Sequence, residues 1–133
     1  MKAELESVTT AAAPAAIGPY SQAVRSGQFL FGSGQIPLEP STGELVGDSG
    51  SGVIASQTHR VLQNLKAILE AADGSLADVI RTTVFLIDLD DFTSVNAVYA
   101  TYFNVTEPAR STVQVAALPK GARIEIDAIA IIR

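Results

Sequence analysis

Between Val53 and Ala72 the apolar residues Ile54, Val61, Leu62, Leu65, Ile68 and Leu69 recur at helical spacing, and Thr58 joins them. Gln57, Arg60, Gln63, Lys66 and Glu70 fill the positions between. This periodicity predicts a long amphipathic helix whose apolar stripe must be covered by another layer. In a chain of 133 residues, enough for one domain over 1–133, that layer has to come from the strands around it. Ser49 or Ser51 can cap the start of the helix. Asp73-Gly74 supplies its stop, with Gly expected in the left-handed conformation.

Strand signals follow the helix. Val79 to Ile87 is β-branched and aromatic, with Thr82, Val84 and Leu86 on one parity and Arg81, Thr83, Phe85 and Ile87 on the other. A second helix is expected from about Asp91 to Phe103, capped by Asp90 or Asp91, with Phe92, Val95, Tyr99 and Tyr102 as its stripe. Arg110 to Ala116 and Arg123 to Ile132 read as strands around Leu118-Pro119-Lys120-Gly121, the last rich enough in Ile to be central. Ahead of the first helix, Tyr20 to Val24, a turn at Arg25-Ser26-Gly27-Gln28, and Phe29-Leu30-Phe31 read as a hairpin. Gly32 and Gly34 in its second strand imply a bulge or a subunit contact, where something approaches the backbone closely, and Pro37 limits the ladder. Met1 to Pro19 reads as a leader, loosely ordered over 1–14, with regular structure expected from Tyr20. The expected fold is α+β, a two-layer sandwich with two helices on one face of a mixed sheet. The other face is apolar enough to call for a second subunit.

Composition excludes several classes. The cysteine count is 0, so disulfides, Cys-ligated metals and thiolate nucleophiles are absent. Nine Lys+Arg against 14 Asp+Glu give 9 − 14 = −5, with no basic run to meet phosphates or anionic lipid. Nucleic acid and membrane are therefore not expected partners. The early acids Glu4 and Glu6, with Pro14 interrupting the Ala-rich stretch, do not make a signal peptide, and no apolar run suits a membrane span. A cytosolic protein is the simplest expectation. His59 is the only imidazole and reads as a polar-face residue. Asp88, Asp90 and Asp91 read as strand-end and capping residues rather than a cation site, and no metal is expected. Gly32-Ser33-Gly34 and the Gly47 to Gly52 segment lack a P-loop Lys.

Three polar residues need an explanation. Glu125 lies between Ile124 and Ile126: it either shares a solvated strand face with Asp127 or stands in a partly dry cleft, where a carboxylate can hold water and move a proton. Arg110 opens a strand after Pro108-Ala109, as a surface arginine or as a rigidly mounted fork for a carboxylate. Tyr20, after Gly18-Pro19, is a core-edge residue or orients a ligand or water. Asn96 caps or contacts a loop.

These oddities fall together in Ala16-Ile17-Gly18-Pro19-Tyr20, Gly32-Ser33-Gly34-Gln35-Ile36-Pro37, Val95-Asn96, Pro108-Ala109-Arg110-Ser111, and Leu118-Pro119-Lys120 through Ile124-Glu125-Ile126. In this combination, from Ala15 to Ile132, the chain closely resembles the Rid family of reactive-intermediate deaminases. The resemblance implies a chorismate-mutase-like fold, a homotrimer with clefts between subunits, and cofactor-free hydrolysis of imines or enamines released by pyridoxal-phosphate enzymes. By position it implies that Arg110 grips a substrate carboxylate and that Glu125 works on water with Tyr20. Ser33, Gly34, Asn96 and Thr112 would shape or support the pocket. Thr112 stands where many members carry Cys, which removes thiol chemistry. The long loop before the first helix and the short connection ahead of Arg110 are expected to reshape the cleft entrance. The substrates implied are 2-iminobutanoate and 2-iminopropanoate. Alternatives are another enamine acid, such as an aminomuconate-like compound, or a noncatalytic carboxylate-binding or chaperone-like trimer. The ribonuclease label the family has carried sits poorly with an acidic chain.

Overall fold

The computed structural model describes residues 4–47 and 52–133. Its strands are β1 (Leu5–Val8), β2 (Ala23–Ser26), β3 (Phe29–Gln35), β4 (Val79–Leu86), β5 (Ala109–Gln114) and β6 (Ile124–Ile131), and its helices are α1 (Val53–Ala71) and α2 (Phe92–Tyr102). They form one six-stranded sheet in the order β1-β2-β3-β6-β4-β5. β4 and β5 run parallel because α2 carries the chain back between them, and the other pairs are antiparallel. The Ile-rich β6 is central, between β3 and β4, and both helices lie on one face of this α+β sandwich.

Burial follows the sequence period. Val61, Leu62, Leu65, Ile68 and Leu69 of α1 pack with Leu30, Val84, Leu86, Ile124 and Ile126 from the facing side of the sheet. Each such side chain contributes roughly 1.5–3 kcal/mol when removed from water. Gln57, expected on the polar side of α1, is buried instead. Its amide donates to the Val46 carbonyl at 3.2 Å and accepts from the Arg123 amide at 2.9 Å, so α1 spends polar groups on holding the loop before it and the start of β6. Asn64 does the same for the Leu38 carbonyl at 3.0 Å.

The structure corrects the expected leader. Residues 5–8 form an edge strand on β2, with Leu5 opposite Ser26 and Val8 opposite Ala23. Only Val8 of that strand is buried, which explains its faint pattern. Residues 10–14 are also tied down. The buried Gln22 side chain accepts from the Thr10 amide at 2.7 Å and donates to the Pro14 carbonyl at 2.7 Å. The hairpin is shifted too: β2 begins at Ala23, beyond Tyr20, and the chain reverses at Gly27-Gln28, where Gly27 has φ +60°.

Helix ends differ from expectation in their chemistry. Ser49 and Ser51, the proposed caps of α1, lie outside the described residues. At the other end the residue in the left-handed region is Asp73, with φ +63°. The Gly74 amide donates to the Leu69 carbonyl at 2.8 Å and the Asp73 amide to the Glu70 carbonyl at 3.0 Å, the pattern of a Schellman stop. Gly74 is required for a different reason, since a Cβ there would lie 2.8 Å from Ile132 Cδ1. Asp73→Gly is therefore expected to stabilise the fold by about 0.5–1 kcal/mol through relief of backbone strain, read as a higher urea midpoint at unchanged slope. Asp91 precedes α2 without a side-chain capping bond and instead accepts from Arg123 Nη2 at 2.8 and 2.9 Å, while Asp88 accepts from the Asp90 amide at 2.9 Å.

The face of the sheet away from the helices carries Phe29, Phe31, Phe85, Ile129 and Ile131 between Arg81, Thr83, Glu125 and Asp127. Phe29 and Phe31 stack at 6.3 Å between centroids and are each nearly half exposed. No helix among the described residues is long and apolar enough to cross a membrane.

Candidate active site

Arg110 stands on β5 opposite Thr82 of β4, on the helix-covered side of the sheet. Its Nη2 donates to Asn96 Oδ1 at 2.7 Å, and its Cζ lies over the Tyr99 ring at 4.7 Å and the Phe92 ring at 5.4 Å. Phe92, Asn96 and Tyr99 are spaced four and three apart, so successive turns of α2 present them to one guanidinium. Tyr99 is itself pinned, since its hydroxyl and that of the fully buried Thr82 are 2.7 Å apart. Burial raises the Tyr99 pKa above its usual value and the phenol stays neutral. Beside this cradle is a cleft of about 370 Å³, lined by Asn96, Tyr99, Ala100, Phe103, Glu107, Pro108 and Arg110. A cation on a rigid mount at the rim of an open cleft suits a small carboxylate.

Glu125 belongs to the other side of the same sheet. Its neighbours Ile124 and Ile126 are fully buried under the helices, so the strand alternation turns Glu125 and Asp127 to the open face. Burial, with the Asp127 charge second, raises the Glu125 pKa above its ordinary value. Gly34 lies against it: a Cβ at position 34 would be 2.8 Å from Glu125 Cδ and would overlap the carboxylate. The bulge expected at the glycines is present, because Gly32 pairs with Ala128 whereas Gln35 pairs with Ile126, leaving Ser33 and Gly34 facing a single β6 residue. Gly34 also borders a small recess with Tyr20. Tyr20 is exposed, and its hydroxyl accepts from the Ile17 amide at 3.3 Å. Ser33 donates its hydroxyl to the Ser21 carbonyl at 2.6 Å, tying the Tyr20 segment to β3.

Within one chain, then, the predicted residues separate into two groups. Arg110 and Asn96 are together, and Thr112 follows two residues along β5 on the same side. Tyr20, Ser33, Gly34 and Glu125 form the second group around the bulge. Sequence reasoning missed Tyr99, Phe92 and Thr82 as neighbours of Arg110. The spacing of Phe92, Asn96 and Tyr99 on one helical face was the available signal. His59, read as a polar-face residue, faces Tyr102 with Nδ1 3.1 Å from its hydroxyl and joins the two helices.

The family model described as Endoribonuclease L-PSP matches residues 10–132. The chain belongs to the Rid family. Among its relatives in that family, a RutC family protein of Pyrococcus horikoshii is 55% identical over 125 residues, covering 94% of this chain and 96% of that one. The 2-iminobutanoate/2-iminopropanoate deaminase of Escherichia coli K12 is 50% identical over 131 residues, covering 96% and 98%. The crystal structure of E. coli TdcF with bound serine superposes with a TM-score of 0.90 at 46% identity, covering 96% of this chain and 99% of the other. The Rid sandwich and the motif residues singled out from the sequence therefore lie within the matched region.

Proposed function

We propose that this Rid protein hydrolyses small 2-imino acids, with 2-iminobutanoate and 2-iminopropanoate as substrates. The observation that carries the reading is the Arg110 cradle: a guanidinium whose hydrogen bond within the described residues goes to Asn96 and whose Cζ lies over two aromatic rings. Its remaining donors can take both oxygens of a substrate carboxylate. The named activity of the E. coli deaminase and the serine bound by TdcF support a ligand of this class.

The separation of Arg110 from Glu125 supports a composite site. We propose a homotrimer in which the open apolar faces meet, and each cleft combines Arg110, Asn96 and Thr112 of one subunit with Tyr20, Ser33, Gly34 and Glu125 of its neighbour. With the carboxylate on Arg110, water held by Glu125 and Tyr20 attacks the imine carbon. Glu125 takes a proton from that water as the C–O bond forms and the C=N π pair moves to nitrogen, and passes that proton to the nitrogen to give the carbinolamine. Glu125 then takes the carbinolamine hydroxyl proton and delivers it to nitrogen as the C–N bond breaks, so that ammonia leaves and the C=O of a 2-keto acid forms. Overall, one water is consumed for each imine, with no cofactor. Pyridoxal-phosphate enzymes that release such imines, in the cytoplasm, are the proposed source of substrate.

A coupled assay tests this. Threonine dehydratase generates the imine, semicarbazide traps what persists, and the protein is expected to suppress the trapped adduct while speeding appearance of 2-ketobutanoate. Adduct equal to that of a blank refutes the reading for this substrate. Light scattering at micromolar concentration checks the assembly, with a mass of one chain refuting the trimer.

A further inference from the structure

We infer that Tyr99 is a positioning residue for Arg110, acting through its ring face. This inference rests on the imine-hydrolase reading and deepens it by naming what orients the carboxylate-binding group. Three observations support it. The Arg110 Cζ is closer to the Tyr99 ring, 4.7 Å from its centroid, than to the Phe92 ring at 5.4 Å. Tyr99 is 8% exposed and Phe92 42%, so Tyr99 is the fixed wall of the cradle and Phe92 the open one. The Tyr99 hydroxyl lies 2.7 Å from that of Thr82, the β4 residue directly opposite Arg110 in the sheet.

The strand that carries Arg110 and the ring that supports its guanidinium are thus referenced to the same buried residue. The Thr82–Tyr99 bond ties α2 to β4, and the β4–β5 ladder ties the strand of Arg110 to β4, so ring and guanidinium are positioned through one strand. Asn96 adds a directional hold by accepting from Nη2 at 2.7 Å. A cation held over an aromatic face with one hydrogen bond to a fixed acceptor has restricted freedom, so the fork is set before a carboxylate arrives. A lysine at position 110 could keep the attraction to the ring face but would lose the fork, since an ammonium has no paired donors to bond Asn96 and a carboxylate together.

A fork held this way serves ground state and transition state alike, since the substrate carboxylate does not change during imine hydrolysis. Losing the support should therefore appear in KM and leave kcat nearly unchanged. The test compares Tyr99→Leu, which removes the ring face, with Tyr99→Phe, which keeps it and removes only the hydroxyl. Both are assayed well below their melting transitions, against wild type and Arg110→Ala. Tyr99→Leu is expected to raise KM about tenfold with kcat within about threefold, and Tyr99→Phe to recover most of that loss. A second readout needs no substrate. In low-temperature 15N spectra the Arg110 Nη resonances, recognised by their disappearance in Arg110→Ala, are expected to be separate in wild type and Tyr99→Phe but averaged in Tyr99→Leu. Wild-type KM and separate Nη resonances in Tyr99→Leu would overturn the inference, as would equal damage from both variants. If Arg110→Ala itself leaves KM unchanged, the carboxylate clamp of the proposed function fails, and the spectra alone still decide whether Tyr99 orients Arg110.

Discussion

Arg110→Ala is expected to lower kcat/KM for 2-iminobutanoate by about 10²–10³-fold, most of it as a rise in KM. The magnitude follows from truncating one partner of a hydrogen-bonded charge pair, which costs about 2–5 kcal/mol, while the carboxylate it binds is the same before and during reaction. The loss should not come from unfolding. Arg110 is a half-buried side chain on an edge strand, and removing it forfeits the Asn96 bond and the aromatic contact, the latter worth about 0.5–1 kcal/mol. Steady-state kinetics with the dehydratase-coupled assay, alongside a thermal melt, separate the two effects. Arg110→Lys should recover little, because it restores charge without the fork. An unchanged KM in the alanine variant would remove Arg110 from substrate binding.

Glu125→Gln should act on the other quantity, lowering kcat by about 10²–10⁴-fold, the usual contribution of a positioned acid–base group. The same change is expected to stabilise the fold at neutral pH. Burial, and then Asp127, raises the Glu125 pKa above its ordinary 4.5, so the folded chain holds this proton to higher pH than the unfolded one. Below the ordinary value both states are protonated and stability is at its full level. As pH rises from there through the raised folded-state value, the unfolded chain ionises first and stability is lost. Gln does not ionise, so the melting temperatures of the two proteins should diverge across that window, with the variant the more stable above it. The acidic limb of wild-type kcat should likewise have its midpoint above 4.5, because the base form is required. A limb at or below that value, or equal pH dependence of the melts, would count against a raised Glu125 in the working site.

Much of the architecture was legible in the chain. The recurrence of Val61, Leu65 and Ile68 predicted α1, and the Ile alternation after Arg123 predicted a central strand, because apolar period and burial are the same physical fact. The pair Gly32 and Gly34 pointed to a bulge or a subunit contact, and the structure shows the bulge, with Gly34 lying against the Glu125 carboxylate. Edge elements were harder to see. β1 buries one side chain and is held mainly by backbone pairing and by Gln22, neither of which leaves a periodic trace. Buried amides such as Gln57 and Asn64 look like surface residues in a sequence, since most of their partners are backbone groups that any residue supplies.

By itself the sequence determined both long helices and the central strands, their period, the absence of thiol chemistry and the motif residues that mark a Rid protein. Tertiary structure decided which of those residues meet. Arg110 and Glu125 both occupy strands, and the face each side chain takes depends on the parity of pairing, which a slip of one residue reverses. Thr82 opposite Arg110 and Phe85 opposite Glu125 set that parity across β4, placing Arg110 beneath α2 and Glu125 on the open face. Cross-strand register comes from long-range pairing, which local pattern does not encode, so only the folded sheet shows the two halves of the candidate site on its opposite faces.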